Sequence, residues 1–588
     1  MTARRTTSFL FAIAGALLFS QIVSSQQAAP REIPAGLLAE VAGGRSASYV
    51  VVLRERADLT AATAATDRSV RGRLVYQALK AIAESSQRPL LDVLRAEAAL
   101  GRVQRFRSFF SVNAIAVTSN ETTLRRLASL PQVEQVFEAP LLSIPDPVPG
   151  TAQARVQSVE WNVAKVRAPE VWARGVTGQG IVIASLDTGV EYTHPALVDH
   201  YRGNLGGGAF DHNYNWWDAT ATCPSPAPCD DNQHGTHTTG TMVGSDGGAN
   251  QIGVAPGATW IGCKALLGGG AGIIFDLLEC GDWVVAPWDL NHQNPNPDRR
   301  PHIVNNSWGL AFGGYPFLQT MVNNWRAAGI FPAFAAGNNG PNCGSVSSPG
   351  DYVQSFATGA ADMNDVIASF SGRGPSVFGA VKPDVTAPGV NVRSSVPGGG
   401  YAAFSGTSMA SPHTAGLVAL LWSEFPNLAR DITSTERKIR PAAVILNSTQ
   451  GCGGTGSTDH PNNTFGSGRI DAVETGSAFP VYTNRSVYHV GDQLTLSVSL
   501  VNPFPATWNV DAYLGLKLPN GQILMNPFGT LPLPASLKLF DQTQLSFVVT
   551  AAQAPGSYLA FAVLALPGSN PTNPANLLSV DLAPFEIQ

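Results

Sequence analysis

The chain has 588 residues, more than one hydrophobic core usually serves, since single cores stop growing at roughly 250–300 residues; several folded units are expected. Its 42 acidic residues against 37 basic ones give a formal charge of −5, and it has no basic run that could follow a phosphate backbone, which argues against nucleic acid as a partner. The 59 glycines and 42 prolines are spread without a period, as in a protein with many turns and long surface loops.

At the N-terminus, Arg4 and Arg5 precede an apolar run over residues 9–23, followed by Ser24 and Ser25. This reads as a signal peptide over residues 1–25, so a secreted, extracellular protein without stable membrane insertion is expected. The alternative, an uncleaved anchor, would need about 20 apolar residues, and this run is shorter.

Residues 26–150 make a first unit. A strand-like run at 49–53 is followed by helical patterning over 74–100, a second strand-like run at 113–117, and the segments 122–127 and 133–136, which together predict a small α+β domain. The segment 144–150, with prolines at 145, 147 and 149, suits neither a helix nor a central strand and reads as an exposed linker.

From 151 to 478 short apolar strands alternate with helices. The runs 180–186, 260–264, 302–306 and 330–335 are apolar enough to be buried on both faces, as in a parallel α/β sheet, and such sheets put their chemistry at the carboxyl ends of the strands. Beyond 479 the helical signal gives way to alternation, as in 493–500 and 544–549, which predicts a small antiparallel β-sandwich over 479–588. It carries no cluster of His, Cys and carboxylates, and either a stabilising or a binding role is compatible with its sequence.

In an exported chain the six cysteines are expected to form disulfides. Cys223–Cys229, Cys263–Cys280 and Cys343–Cys452 is the pairing expected, one of 15 connectivities among which sequence does not choose. No pair has the close CxxC spacing of a zinc site.

Three motifs carry the candidate chemistry: Asp187-Thr188-Gly189 directly after a strand, His234-Gly235-Thr236-His237, and Gly406-Thr407-Ser408-Met409. A serine hydroxyl is a poor nucleophile at neutral pH. Acyl transfer therefore needs an imidazole to take its proton and a carboxylate to orient that imidazole, roles that Ser408, His234 and Asp187 can fill. Each motif alone is weaker. Asp-Thr-Gly also occurs in aspartic proteases, which need two such carboxylates; His234 and His237 could offer two nitrogens to a metal, yet no HExxH accompanies them. The order Asp, His, Ser also differs from that of α/β-hydrolases.

Together these motifs resemble the subtilisin-like serine proteases, the subtilase family, and the segments around 214–218 and 305–309 resemble its bacillopeptidase F group. The resemblance covers roughly residues 48–475. It implies a subtilisin-like parallel-sheet catalytic domain (151–478) between a small α+β inhibitory propeptide domain (26–150) and the C-terminal β-sandwich. It further implies an endopeptidase acting on protein or peptide substrates without a catalytic cofactor. Asn338, in Ala335-Ala336-Gly337-Asn338, matches the family's oxyanion-hole asparagine, and the backbone N–H of Ser408, at the start of a helix running to about 421, would be the second donor. Pro412 is expected in the first turn of that helix, where proline is tolerated. Ser307, Trp308 and Gly309 match the substrate-binding edge strand, with Trp308 either simple packing or a wall of the side-chain pocket. His194, His237 and His413 are expected to be structural.

The family's structural calcium ion is a point of departure. Its aspartate ligand position holds Ala196, and Asp246 alone does not supply the six to eight oxygens that calcium takes; no metal-ligand set is assigned. The first unit resembles the inhibitory propeptide, an intramolecular partner expected to be removed by self-cleavage between Ile144 and Val159.

Overall fold

The computed structural model describes residues 32–144, 148–149, 159–450, 452, 460–502, 504, 506–573 and 576–588. The signal peptide expected over 1–25 and most of the linker and junction up to residue 158 lie outside the described residues. Among the described residues, no helix is long and apolar enough to cross a membrane.

The first unit is a four-stranded antiparallel sheet in the order Val103–Phe109, Ala114–Asn120, Ser46–Leu53, Val133–Glu138. Side chains alternate across a strand. Tyr49, Val51 and Leu53 pack against Leu90 and Leu94 of the long helix Arg68–Ala99 and Leu124 of Glu121–Ala128. Val50 and Val52, on the other face, share a core with Leu277, Leu278 and Met321 of the central unit. Burial on both faces explains why residues 49–53 are continuously apolar. The strand Val103–Phe109 carries no such run, and its charged side chains face the central unit instead: Arg107 makes a two-pronged ion pair with Glu279, and Arg105 lies 4.0 Å from the centroid of the Phe275 ring.

The central unit is built on seven parallel strands in the order Trp216–Asp218, Thr259–Lys264, Val182–Asp187, Ile303–Asn306, Phe331–Ala335, Phe356–Ala361, Val385–Pro388. Ala184, Leu186, Ile261 and Val304 point to a face covered by the helices Ile274–Val285 and Gln319–Ala327. Ile183, Trp260, Ile303 and Phe331 point to the other, covered by the helices His234–Val243 and Thr407–Glu424. The sheet is therefore of the fully covered parallel kind that the apolar strands predict.

The C-terminal unit is two facing sheets. Val481–Thr483, Gln493–Val501 and Lys538–Val548 form one; Val487–Tyr488, Leu577–Ile587, Gly556–Ala565, Trp508–Lys517 and Ile523–Leu533 form the other, in those spatial orders. All pairings are antiparallel except the two-residue contact of Val487–Tyr488, which is parallel.

The three disulfides are Cys223–Cys229, Cys263–Cys280 and Cys343–Cys452, the pairing expected from sequence. The second ties the strand Thr259–Lys264 to the helix Ile274–Val285.

The donor set near Ala196 does not fit calcium. Asp246 spends its carboxylate inside its own loop, accepting from Gly248 N at 2.9 Å and Asn250 Nδ2 at 2.6 Å. The cation there is the protein's own: Arg393 donates to Glu160 Oε1 at 2.6 Å and to Asn250 Oδ1 at 2.9 Å, and lies 4.4 Å from the centroid of Tyr401. Burial raises the Glu160 carboxyl above its ordinary pKa, with the Arg393 hydrogen bond working in the opposite direction. Chelation should therefore leave the thermal unfolding midpoint unchanged, while Arg393→Met, which leaves Glu160 buried without its partner, should cost about 3 kcal/mol. A midpoint that falls on adding EDTA would contradict this account.

Candidate active site

The strand Val182–Asp187 ends on Asp187, and the helix His234–Val243 begins on His234. His234 Nδ1 lies 2.7 Å from Asp187 Oδ1, with both side chains buried. The close approach depends on Gly235, where a Cβ would sit 2.0 Å from the Gly189 carbonyl oxygen and 3.0 Å from Asp187 Cβ. Asp187 also accepts from Thr188 N at 2.8 Å on Oδ1 and from Thr238 Oγ1 at 3.1 Å on Oδ2. One carboxylate thus receives three donors, which fixes its plane and the ring it holds.

Two further residues brace this corner. Asp230 accepts from Thr188 Oγ1 at 2.9 Å and from Thr236 N at 2.9 Å, so it joins the loop after Asp187 to the exposed N–H groups of the helix that starts at His234. Lys264, fully buried and paired in register with Asp187, donates to Thr188 O at 2.6 Å, Leu266 O at 3.0 Å and Asp231 Oδ1 at 2.6 Å. Neither was singled out from sequence, although the polar run Asp230-Asp231-Asn232 just before a helix is a capping signal. Thr238 left no such trace, because a threonine inside a helix usually bonds its own backbone.

Ser408 is the second residue of the helix Thr407–Glu424, where a backbone N–H has no intrahelical partner. Pro412 lies in the second turn of this helix and not, as sequence suggested, in the first. Lacking an N–H, it leaves the Ser408 carbonyl without its helical donor, and Ser307 Oγ fills the gap at 2.9 Å. In return Ser408 Oγ donates to the Ser307 carbonyl at 2.9 Å. His234 Nε2 has no hydrogen-bond partner, so the serine–histidine contact is not made in this conformation.

Asn338 follows the strand Phe331–Ala335. Its Oδ1 accepts from Thr407 N at 2.9 Å and Thr407 Oγ1 at 2.7 Å, while Thr407 Oγ1 itself accepts from Gly337 N at 3.1 Å. With the amide oxygen committed, Nδ2 is left as the free donor, and Gly406 keeps its surroundings open: a Cβ there would stand 3.3 Å from it. A cavity of about 190 Å³ beside Ser408 is lined by Ser307, Trp308, Gly309, Gly337 and Asn338. Trp308 is 2% exposed, packs edge-to-face on Phe334 at 5.9 Å and also lines the cavity.

The chain itself lies in this cleft. Leu142–Ser143 pairs antiparallel with Ala271–Gly272, Ser143 exchanges hydrogen bonds with Gly309 (3.2 and 3.4 Å), and Ile144 N donates to Gly270 O at 2.9 Å. Past the site, Val148–Pro149 pairs antiparallel with Ser405 and Phe404.

The sequence profile of the Subtilase family matches residues 178–468. Subtilisin Savinase of Lederbergia lenta is 33% identical over 316 residues, 54% of this chain and 98% of that protein. The chain belongs to the subtilase family. Bacillopeptidase F of Bacillus subtilis (strain 168) is 42% identical over 423 residues, 69% of this chain but 28% of that protein's length, in keeping with the group resemblance. Subtilisin E of the same organism is 33% identical over 329 residues, 55% of this chain and 74% of that protein.

In this subtilase the His237 ring is anchored through Nε2, 3.0 Å from the Val392 carbonyl and 3.1 Å from the Ala402 carbonyl, and among the described residues no group of three or more His, Cys, Asp or Glu side chains could hold a metal ion. His194 likewise bonds the Gly400 carbonyl at 2.8 Å. His413 is bound at both nitrogens, to Met409 O at 2.8 Å and Asn162 Nδ2 at 2.9 Å.

Burial pushes the His237 imidazole down to about 3, with the charge of neighbouring His234 adding to the effect, and His413 down to about 4. Unfolded histidine binds its proton near pH 6.5. The unfolded state therefore holds more protons below that pH, and stability falls as pH drops from about 6.5 towards 4, by at most about 1.4 kcal/mol per unit for each ring. His413→Gln should give a shallower loss of urea-unfolding free energy between pH 6 and 4 than the wild type; equal slopes would refute the assignment.

Proposed function

We propose that the protein is a secreted serine endopeptidase made as a self-cleaving precursor, with Asp187, His234, Ser408 and Asn338 as its catalytic groups and Ser307, Trp308 and Gly309 as its substrate-binding strand. The observation that carries this reading is the strand formed by the chain's own residues 142–144 on Gly309 and Gly270, beside Ser408. An extended peptide adding to a sheet edge gains affinity from its main chain, and here the precursor supplies that peptide.

The geometry supports the following steps. Ser408 Oγ turns from the Ser307 carbonyl to His234 Nε2, the ring nitrogen without a partner, and gives up its proton as it attacks the scissile carbonyl. Asp187 stabilises the imidazolium through Nδ1–H. The oxyanion meets Asn338 Nδ2 and the Ser408 N–H at the helix start. His234 then passes the proton to the leaving amine, and water, with His234 again as base, hydrolyses the acyl ester. No cofactor enters these steps.

Residues 26–150 act in this reading as the inhibitory propeptide, 151–478 as the catalytic domain and 479–588 as an added sandwich. Because the chain is paired with the cleft at Ile144 and again at Val148, the first cut falls between these two residues, a narrower window than the sequence gives.

Ser408→Ala should leave the precursor uncut, and a fluorophosphonate should label the wild-type chain on Ser408 alone; normal processing of the variant with no other protease present would overturn the assignment. N-terminal sequencing of the first product should begin between Pro145 and Val148. Asn338→Leu should lower kcat by about 100- to 1,000-fold, the loss that removing one oxyanion-hole donor causes in subtilisin, with little change in KM. Trp308→Leu should enlarge the 190 Å³ cavity and move side-chain preference towards bulkier residues in a peptide panel.

A further inference from the structure

The C-terminal sandwich does not close on one side. The strands Ile523–Leu533 and Lys538–Val548 are each the last of their sheet, and between them opens a cavity of about 730 Å³. Its floor is the sandwich core, where Leu494, Leu496, Tyr558 and Phe585 are buried. Its mouth is also apolar: Leu524, Met525, Phe528 and Leu545 are 48%, 47%, 40% and 42% exposed. A contiguous apolar opening of this kind is uncommon on a surface that meets only water.

The lining identifies the occupant. It contains no Asp, Glu, Lys, Arg or His, and its side-chain amides are Asn520, Asn526, Gln544 and Gln553. A fatty acid would find no cation for its carboxylate. Asn520, Gln544 and Gln553 each already make a hydrogen bond within the sandwich, but a purely apolar molecule would leave their remaining amide groups, Asn526 and the outer main-chain edges unused. An extended polypeptide uses all of them, its backbone pairing with a strand edge and alternate side chains entering the cavity.

The two edges are not equivalent. The pairing of both strands slips, once for Ile523–Leu533 and twice for Lys538–Val548, but Ile523–Leu533 also contains Pro527 and Pro532, which blunt an edge. Lys538–Val548 contains no proline, and past Lys538, Phe540 and Asp541, which hold its start to the central unit, residues 542–548 form the edge beside the cavity.

We propose that the C-terminal sandwich binds an extended, uncharged segment of an unfolded polypeptide as an added strand on Lys538–Val548, with alternate apolar side chains in the cavity. This goes beyond the peptidase reading and does not require it, because binding is independent of Ser408. In a working endopeptidase the site would hold loosened substrate away from the cleft.

The test uses the full-length Ser408→Ala chain, which cannot cut the probe, and fluorescence anisotropy of a labelled peptide of about ten residues alternating Leu and Thr. Binding should saturate. Leu545→Lys, at an exposed position, should weaken it by at least about tenfold, while Leu582→Lys, at a position 53% exposed and outside the lining, should leave it unchanged. A probe N-methylated at alternate residues should lose affinity to a similar degree. The proposal is overturned by absence of saturable binding, or by equal binding of the methylated probe with displacement by laurate, which would make this an acyl-chain site. A Leu545-dependent dimer that excludes the peptide would overturn it in favour of a second copy of the chain.

Discussion

The 2.7 Å hydrogen bond between His234 and Asp187 joins the end of a parallel strand to the start of a helix, and much of the central unit is arranged to keep those two backbones together. Gly235 permits the approach, Asp230 ties the helix start to Thr188, and the Lys264 ammonium neutralises the carbonyls and carboxylate behind them. Asp187 and His234 are buried, so removing either strands the other without solvent to replace it, and removing Lys264 takes the donor from the Thr188 and Leu266 carbonyls. Rigidity at this corner is thus a consequence of desolvation as much as of hydrogen-bond number.

A second corner is built on a missing donor. Pro412 deprives the Ser408 carbonyl of its helical partner, and Ser307 on a neighbouring strand end takes over. The helix that presents Ser408 is thereby fastened to the strand end that leads into Trp308 and Gly309. The reciprocal bond from Ser408 Oγ to the Ser307 carbonyl keeps the hydroxyl satisfied while His234 Nε2 waits without a partner. An unmade hydrogen bond of this kind is common in sites without a productively seated substrate.

What could be read from sequence followed range. The strands at 180–186 and 302–306, and the helix after Gly406, announce themselves through local apolar pattern and glycine, and the motifs of Asp187, His234 and Ser408 carry their chemistry within a few residues. Asn338 came only through family resemblance, since an asparagine after a strand has no signature of its own. Thr238, Asp230 and Lys264 were missed because their roles exist only once distant segments meet. Pro412 sits in the second turn because Ser307, from a distant segment, supplies the donor its ring removes, a compensation that proline's first-turn preference does not announce. The strand Val103–Phe109 lacks an apolar run because it meets the central unit through Arg105 and Arg107, which composition alone reads as solvent-facing.

Arg393 illustrates what such long-range contacts can change. A bound metal ion stabilises a fold only as far as its free concentration exceeds its dissociation constant, so a protein stapled that way inherits the ionic composition of its surroundings. A guanidinium attached to the chain has no free concentration to lose. The clamp on Glu160 and Asn250 is present at one copy per molecule at any dilution.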